Sequence, residues 1–169
     1  NLYVPDTHYQ RVIVYDPDQL TEDEVPDSVF ELTDPIWKGK VGVAPSNASF
    51  EAFVTAIRVL EGEDVAREWL DGMAANDVQL FDNNVLILNA AEDGVVALGL
   101  INHYYWYEQV AEEGPEAVPA RLKFLPDGDP GALVNGGSAT IHAESVNVVG
   151  NISGGSGITT TNGVNVGVS

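Results

Sequence analysis

Two adjacent tyrosines, Tyr104 and Tyr105, follow directly on Asn102 and His103 at the end of an apolar run. A phenol titrates near pH ~10 in water, but a highly charged hard cation can displace its proton and bind the phenolate oxygen. Phenolate oxygen suits ferric iron better than zinc or copper, which prefer softer ligands. Neighbours on a strand point to opposite faces, yet where a strand passes into a helix two of them can converge on one volume. The competing reading is an aromatic cluster, Tyr104 to Tyr107, packed at the end of a sheet. Two further polar stretches stand at comparable places: Pro45–Ser49, which includes Ser46 and Asn47, and Asp82–Asn84. Each presents a helix N-terminus, whose unpaired N–H groups and positive dipole end favour an anion. Ordinary N-capping explains the same Ser and Asn residues.

The elements that must position these residues alternate in type. Arg11–Tyr15 reads as a buried strand and is followed by an acidic, proline-punctuated stretch, residues 16–35. Residues 40–44 form a short strand. Phe50, Phe53, Val54, Ile57 and Leu60 fall on one helical face that stops at Gly62, and a second helix carries Val65, Trp69 and Met73. Residues 78–81 predict a strand, Asn83-Asn84 cap a short helix ending at Gly94, and residues 95–101 predict an apolar strand. A helix over 103–113 stops at Gly114, and residues 121–125 predict a last strand before a turn at 126–131. Alternation of this kind implies an α/β layer with a mostly parallel sheet, whose ligands gather beyond the carboxyl ends of the strands. If the three polar junctions follow parallel strands, they share one end of that sheet.

Composition narrows the partners. With 26 Asp and Glu against 7 Lys and Arg in 169 residues, the formal net charge is −19. Phosphate backbones and anionic membranes would be repelled, so no nucleic acid is expected. The acid-rich, lysine-poor surface fits salt adaptation or plain solubility. Without cysteine there is no thiolate ligand or disulfide, and no stretch approaches the roughly 20 apolar residues of a transmembrane segment. The chain opens without a basic leader, so any export signal is expected to be absent or already removed. After residue 136 the only charged residue is Glu144, and Gly, Ser, Thr, Asn and Val take over. This divides the chain into a lobe, residues 1–143, and a Gly/Asn/Val-rich tail, residues 144–169. The tail is expected to form β-structure, covering a sheet edge or pairing with another chain.

Three segments carry a family resemblance: LTDPIWKGKVGVAPSNASF at 32–50, EDGVVALGLINHYYW at 92–106 and GDPGALVN at 128–135. Together they resemble the ferric-iron-binding proteins of ABC uptake systems, extracytoplasmic solute-binding proteins whose two α/β lobes close over the metal. The match runs from about residue 11 to 135. The resemblance implies a periplasmic-binding-protein-like single lobe, with Tyr104 and Tyr105 as paired tyrosinate ligands of ferric iron. It further implies that Asn84 contacts a synergistic anion such as carbonate or phosphate, that Asn102 supports the site, and that the partner is an ABC permease in a periplasmic or cell-surface location.

Two departures shape the expectation. The matching region corresponds to the C-terminal lobe, and the N-terminal lobe, which supplies further ligands in relatives, has no counterpart here. The helix that follows the DPGALV motif in relatives is replaced by the tail. The leading expectation is therefore one lobe of a binding protein, not an enzyme, with a missing lobe or self-association through the tail as further partners. A structural or assembly module that keeps the lobe fold without metal is the alternative. A metal-dependent hydrolase using Asp127 and Asp129 lacks a base, and those residues fit a turn better than a calcium loop.

Overall fold

The computed structural model describes residues 10–132, which form one five-stranded sheet with helices on both faces. Strand β1 spans Arg11–Tyr15, β2 Val41–Val43, β3 Gln79–Leu80, β4 Leu98–Asn102 and β5 Arg121–Phe124. The helices are α1, Ala48–Leu60; α2, Glu63–Ala75; α3, Asn84–Glu92; and α4, His103–Glu113. Between β1 and β2 the chain makes short 3-10 turns at Glu22–Glu24, Val29–Thr33 and Pro35–Trp37. The assumed lobe boundary at 143 and the tail, residues 144–169, lie outside the described residues.

Strand order is β3-β2-β4-β1-β5. β2 pairs in parallel with β3 and β4, whereas β1 is antiparallel to both β4 and β5. Four strands therefore run one way and β1 alone runs against them. The expectation of a mostly parallel sheet holds in strand direction, and the reversed β1 makes two of the four pairings antiparallel. The reversal has a local consequence. It brings the first residue of β1 to the end of the sheet where β2, β3 and β4 finish.

The β-branched run of β1 is buried along its whole length, as befits a strand covered on both faces. Its alternate residues enter different cores. Ile13 and Tyr15 join Val41, Val43, Leu98 and Leu100 against Phe50, Phe53 and Ile57 of α1 and Trp69 and Met73 of α2. Val12 and Val14 join Ile101 against Ile87, Leu88, Ala90 and Ala91 of α3. The second packing depends on Gly99, where an added Cβ would collide with Ile87 Cγ2.

The acidic 16–37 stretch is tied down by specific bonds rather than by regular structure. Trp69 Nε1 donates to the Val29 carbonyl at 2.8 Å, and Asn76 Nδ2 donates to the carbonyls of Leu32 and Asp34. Asp129 accepts from Ser28 Oγ at 2.7 Å and from the N–H groups of Val29 and Gly131 at 3.1 and 2.8 Å. Its carboxylate is engaged in joining two turns, in agreement with the turn reading of this segment.

Candidate metal centre

The three polar junctions do share one end of the sheet, because β2, β3 and β4 run in the same direction. Each leads into a helix, and the caps differ. Asn47 Oδ1 accepts from the Ser49 N–H at 2.9 Å, and Asn83 Oδ1 accepts from the Leu86 N–H at 3.0 Å. Asn102 stands at the N-cap of α4 but makes no capping bond with its side chain. Asn47 is therefore a capping residue. Ser46 is exposed on the loop, and it is Ser49 that reaches inward.

Ser49 meets Arg11, a residue that reading by motif passes over. In the β1–β4 register Arg11 lies opposite Asn102. Its side chain is buried, with Nη1 donating to Asn84 Oδ1 at 2.9 Å and to the Leu100 carbonyl at 3.4 Å, and Nη2 donating to Ser49 Oγ at 3.1 Å. The guanidinium carbon also lies 5.7 Å and 5.9 Å from the ring centroids of Phe50 and Phe53. One cation thus joins the starts of α1 and α3 to the end of β4. The available signal was a lone arginine opening an otherwise apolar strand. Such a residue, once buried, must find partners.

Tyr104 and Tyr105 occupy the first turn of α4, both half-buried. Their ring centroids are 4.3 Å apart with the planes inclined by 33°. The rest of the aromatic run separates from them. Trp106 Nε1 donates to the Ala120 carbonyl at 2.8 Å and its ring packs on the α3 side of the sheet, while Tyr107 is exposed.

The surroundings of Tyr105 favour its protonated phenol. Burial, above all, pushes the Tyr105 hydroxyl up to about 12, helped by its hydrogen bond to Tyr104 and by the charges of Tyr104 and Glu108. The Arg11 guanidinium acts in the opposite direction. His103 lies against Tyr104 with ring centroids 6.2 Å apart, but its Nδ1 accepts the Gln10 N–H at 3.3 Å. An imidazole accepting at Nδ1 carries its proton on Nε2, so in this state neither nitrogen offers a lone pair to a metal.

At this end of the sheet the buried atoms Asn84 Nδ2, a donor, and Asn102 Oδ1, an acceptor, have no hydrogen-bond partner among the described residues. Asn84 is fully buried and Asn102 nearly so. Orphaned polar atoms of this kind call for a ligand or an ordered water. Among the described residues, no group of three or more His, Asp or Glu side chains is placed so as to hold a metal ion. A surface groove of about 460 Å³, lined by Pro17, Trp106, Pro119 and Arg121, draws on the opposite end of the sheet. No helix among the described residues is long and apolar enough to cross a membrane.

The chain is similar in sequence and fold to known proteins. The family model for bacterial extracellular solute-binding proteins matches residues 2–149. Among curated relatives, the major ferric iron-binding protein of Neisseria meningitidis serogroup B is 39% identical over 137 residues, covering 81% of this chain and 41% of its own length. The Fe(3+)-binding periplasmic protein of Serratia marcescens is 35% identical over 124 residues, covering 73% of this chain and 36% of its own. Among solved structures, iron-bound HitA from Pseudomonas aeruginosa superposes with a TM-score of 0.71 at 38% identity, over 76% of this chain and 41% of that one. The chain spans about two fifths of the length of these relatives.

Proposed function

From its membership of the bacterial extracellular solute-binding protein family, which comprises binding proteins rather than enzymes, we propose that this chain provides the tyrosine-bearing half of a ferric-ion site for uptake through an ABC permease. In this reading Tyr104 and Tyr105 bind ferric ion as phenolates, outside the cytoplasm. The names of the relatives support the cargo, and one observation carries the ligand assignment. The two rings lie side by side, centroids 4.3 Å apart, in the first turn of a helix at the end of the sheet where the polar junctions gather.

A synergistic anion, carbonate or phosphate, occupies the same end of the sheet. The N-termini of α1, α3 and α4 supply N–H groups and favourable dipole ends, and Asn84 Nδ2 is a donor in need of an acceptor. Asn102 supports the site from the end of β4. Asn47 caps α1 and Ser46 is exposed on the loop, so neither is assigned a direct bond. Two tyrosinates do not fill the coordination sphere of ferric ion. The remaining positions fall to the anion, to water or to a second lobe like that of the longer relatives.

The test is a titration of the metal-free protein with ferric nitrilotriacetate, followed in the visible region. Saturable growth of a broad tyrosinate-to-iron band is expected, with loss of most of its intensity in the Tyr104→Phe, Tyr105→Phe double variant. Absence of any band in the folded wild-type protein refutes the assignment. It would favour a fold retained without metal binding.

A further inference from the structure

We propose that Arg11 is a positioning residue for the anion: it fixes the amide of Asn84 so that only the Nδ2 donor is left for a ligand oxygen. The proposal rests on the anion-assisted reading given above. A guanidinium has donors and no acceptor, so the amide atom 2.9 Å from Arg11 Nη1 must be the oxygen. The nitrogen then lies at the other end of the amide, buried and without a partner among the described residues.

An asparagine free to turn over can present either polarity. Held by its oxygen, it presents a donor alone and discriminates against cations and in favour of oxyanions. The same guanidinium holds Ser49 through Nη2 and Leu100 through its carbonyl. The lock therefore spans three elements, and a planar fork can make these bonds together where an ammonium cannot. Asn84 is fully buried, so an oxyanion reaches it only as covering side chains turn aside. Arg11 keeps the amide oriented through that movement.

The experiment uses inorganic phosphate and the metal-free protein, so it does not depend on iron. Phosphate binding is read from the rise in unfolding temperature with phosphate concentration, in wild type, Arg11→Met, Arg11→Lys and Asn84→Asp. Apparent phosphate affinity is expected to fall about tenfold or more in Arg11→Met, and by less in Arg11→Lys, which keeps the charge. Asn84→Asp guards against a variant that fails to fold. Its carboxylate pairs with Arg11 and preserves the core, but it offers no donor, so the phosphate response should vanish while the unfolding temperature holds.

A wild-type-like response in folded Arg11→Met or in Asn84→Asp overturns the proposal, as does a wild-type protein indifferent to phosphate. Wild type that responds to phosphate, with the response lost in the variants, upholds it. If the same wild type gives no ferric colour, the iron reading fails while the role of Arg11 stands.

Discussion

At the scale of single residues, the protonation of Tyr105 governs how the site should behave. Its hydroxyl is held at about 12, chiefly by burial, so it is protonated throughout the neutral range, and under the proposed ligation a ferric ion has to expel that proton. Each proton displaced weakens binding about tenfold for every unit the pH falls. Apparent ferric affinity measured from about pH 8 down to about pH 6 should therefore drop steeply. A flat profile would show that no phenol is deprotonated on binding. The same shift affects the metal-free protein with a definite sign. An unfolded tyrosine loses its proton near pH ~10, whereas folded Tyr105 keeps it to about 12. The stability linked to this group is present below the lower value and is lost as the pH rises through the upper one. Tyr105→Phe should shallow the alkaline loss in urea unfolding, and an unchanged slope would contradict the burial of that hydroxyl. The place of the tyrosines at a helix start and the capping asparagines were legible in the sequence because both depend on local spacing. Arg11 was not, since its partners Ser49 and Asn84 lie 38 and 73 residues away along the chain.

Among elements, the packing of α3 on the sheet decides where Asn84 stands. Ile87 of α3 sits over Gly99 of β4, at a separation that leaves no room for a methyl group. Gly99→Ala should cost ~1–3 kcal/mol in chemical denaturation, by overpacking, and should loosen phosphate binding through displacement of α3. An unchanged stability would mean that α3 does not rest on β4 as described. The helices were legible because apolar residues recur with helical period and Gly62 and Gly114 mark the stops. Strand limits were less so. The apolar run at 95–101 predicts a strand from its first residue, but the ladder begins at Leu98. The N–H groups of Val95 and Val96 both donate to the Ala90 carbonyl, closing the end of α3, and Val95 is exposed. Hydrophobicity marks burial and strand preference together, and it does not separate a helix-closing turn from the strand that follows.

For the molecule as a whole, the direction of β1 is the feature that assembles the site. A strand carries no local signature of whether it runs with or against neighbours nearly ninety residues away, so the reversal of β1 was not legible, nor was the arrival of Arg11 beside Asn102. The net charge of −19 was legible and acts over the whole surface. Ion pairs such as Lys38–Asp77 and Arg58–Glu63 are exposed and contribute little, so screening of acid–acid repulsion should dominate. Raising the salt from about 0.05 M to about 1 M, where the Debye length shrinks to ~3 Å, should raise the unfolding temperature. A fall would show that the exposed pairs outweigh the repulsion. The central claim is that ferric ion is held here through two phenolates. Resonance Raman spectra excited within the visible band test it most directly. Ring modes of iron-bound tyrosinate should appear in the wild type, weaken in Tyr104→Phe and in Tyr105→Phe, and vanish in the double variant. A ferric complex that lacks those modes, or keeps them when both hydroxyls are gone, would contradict the account.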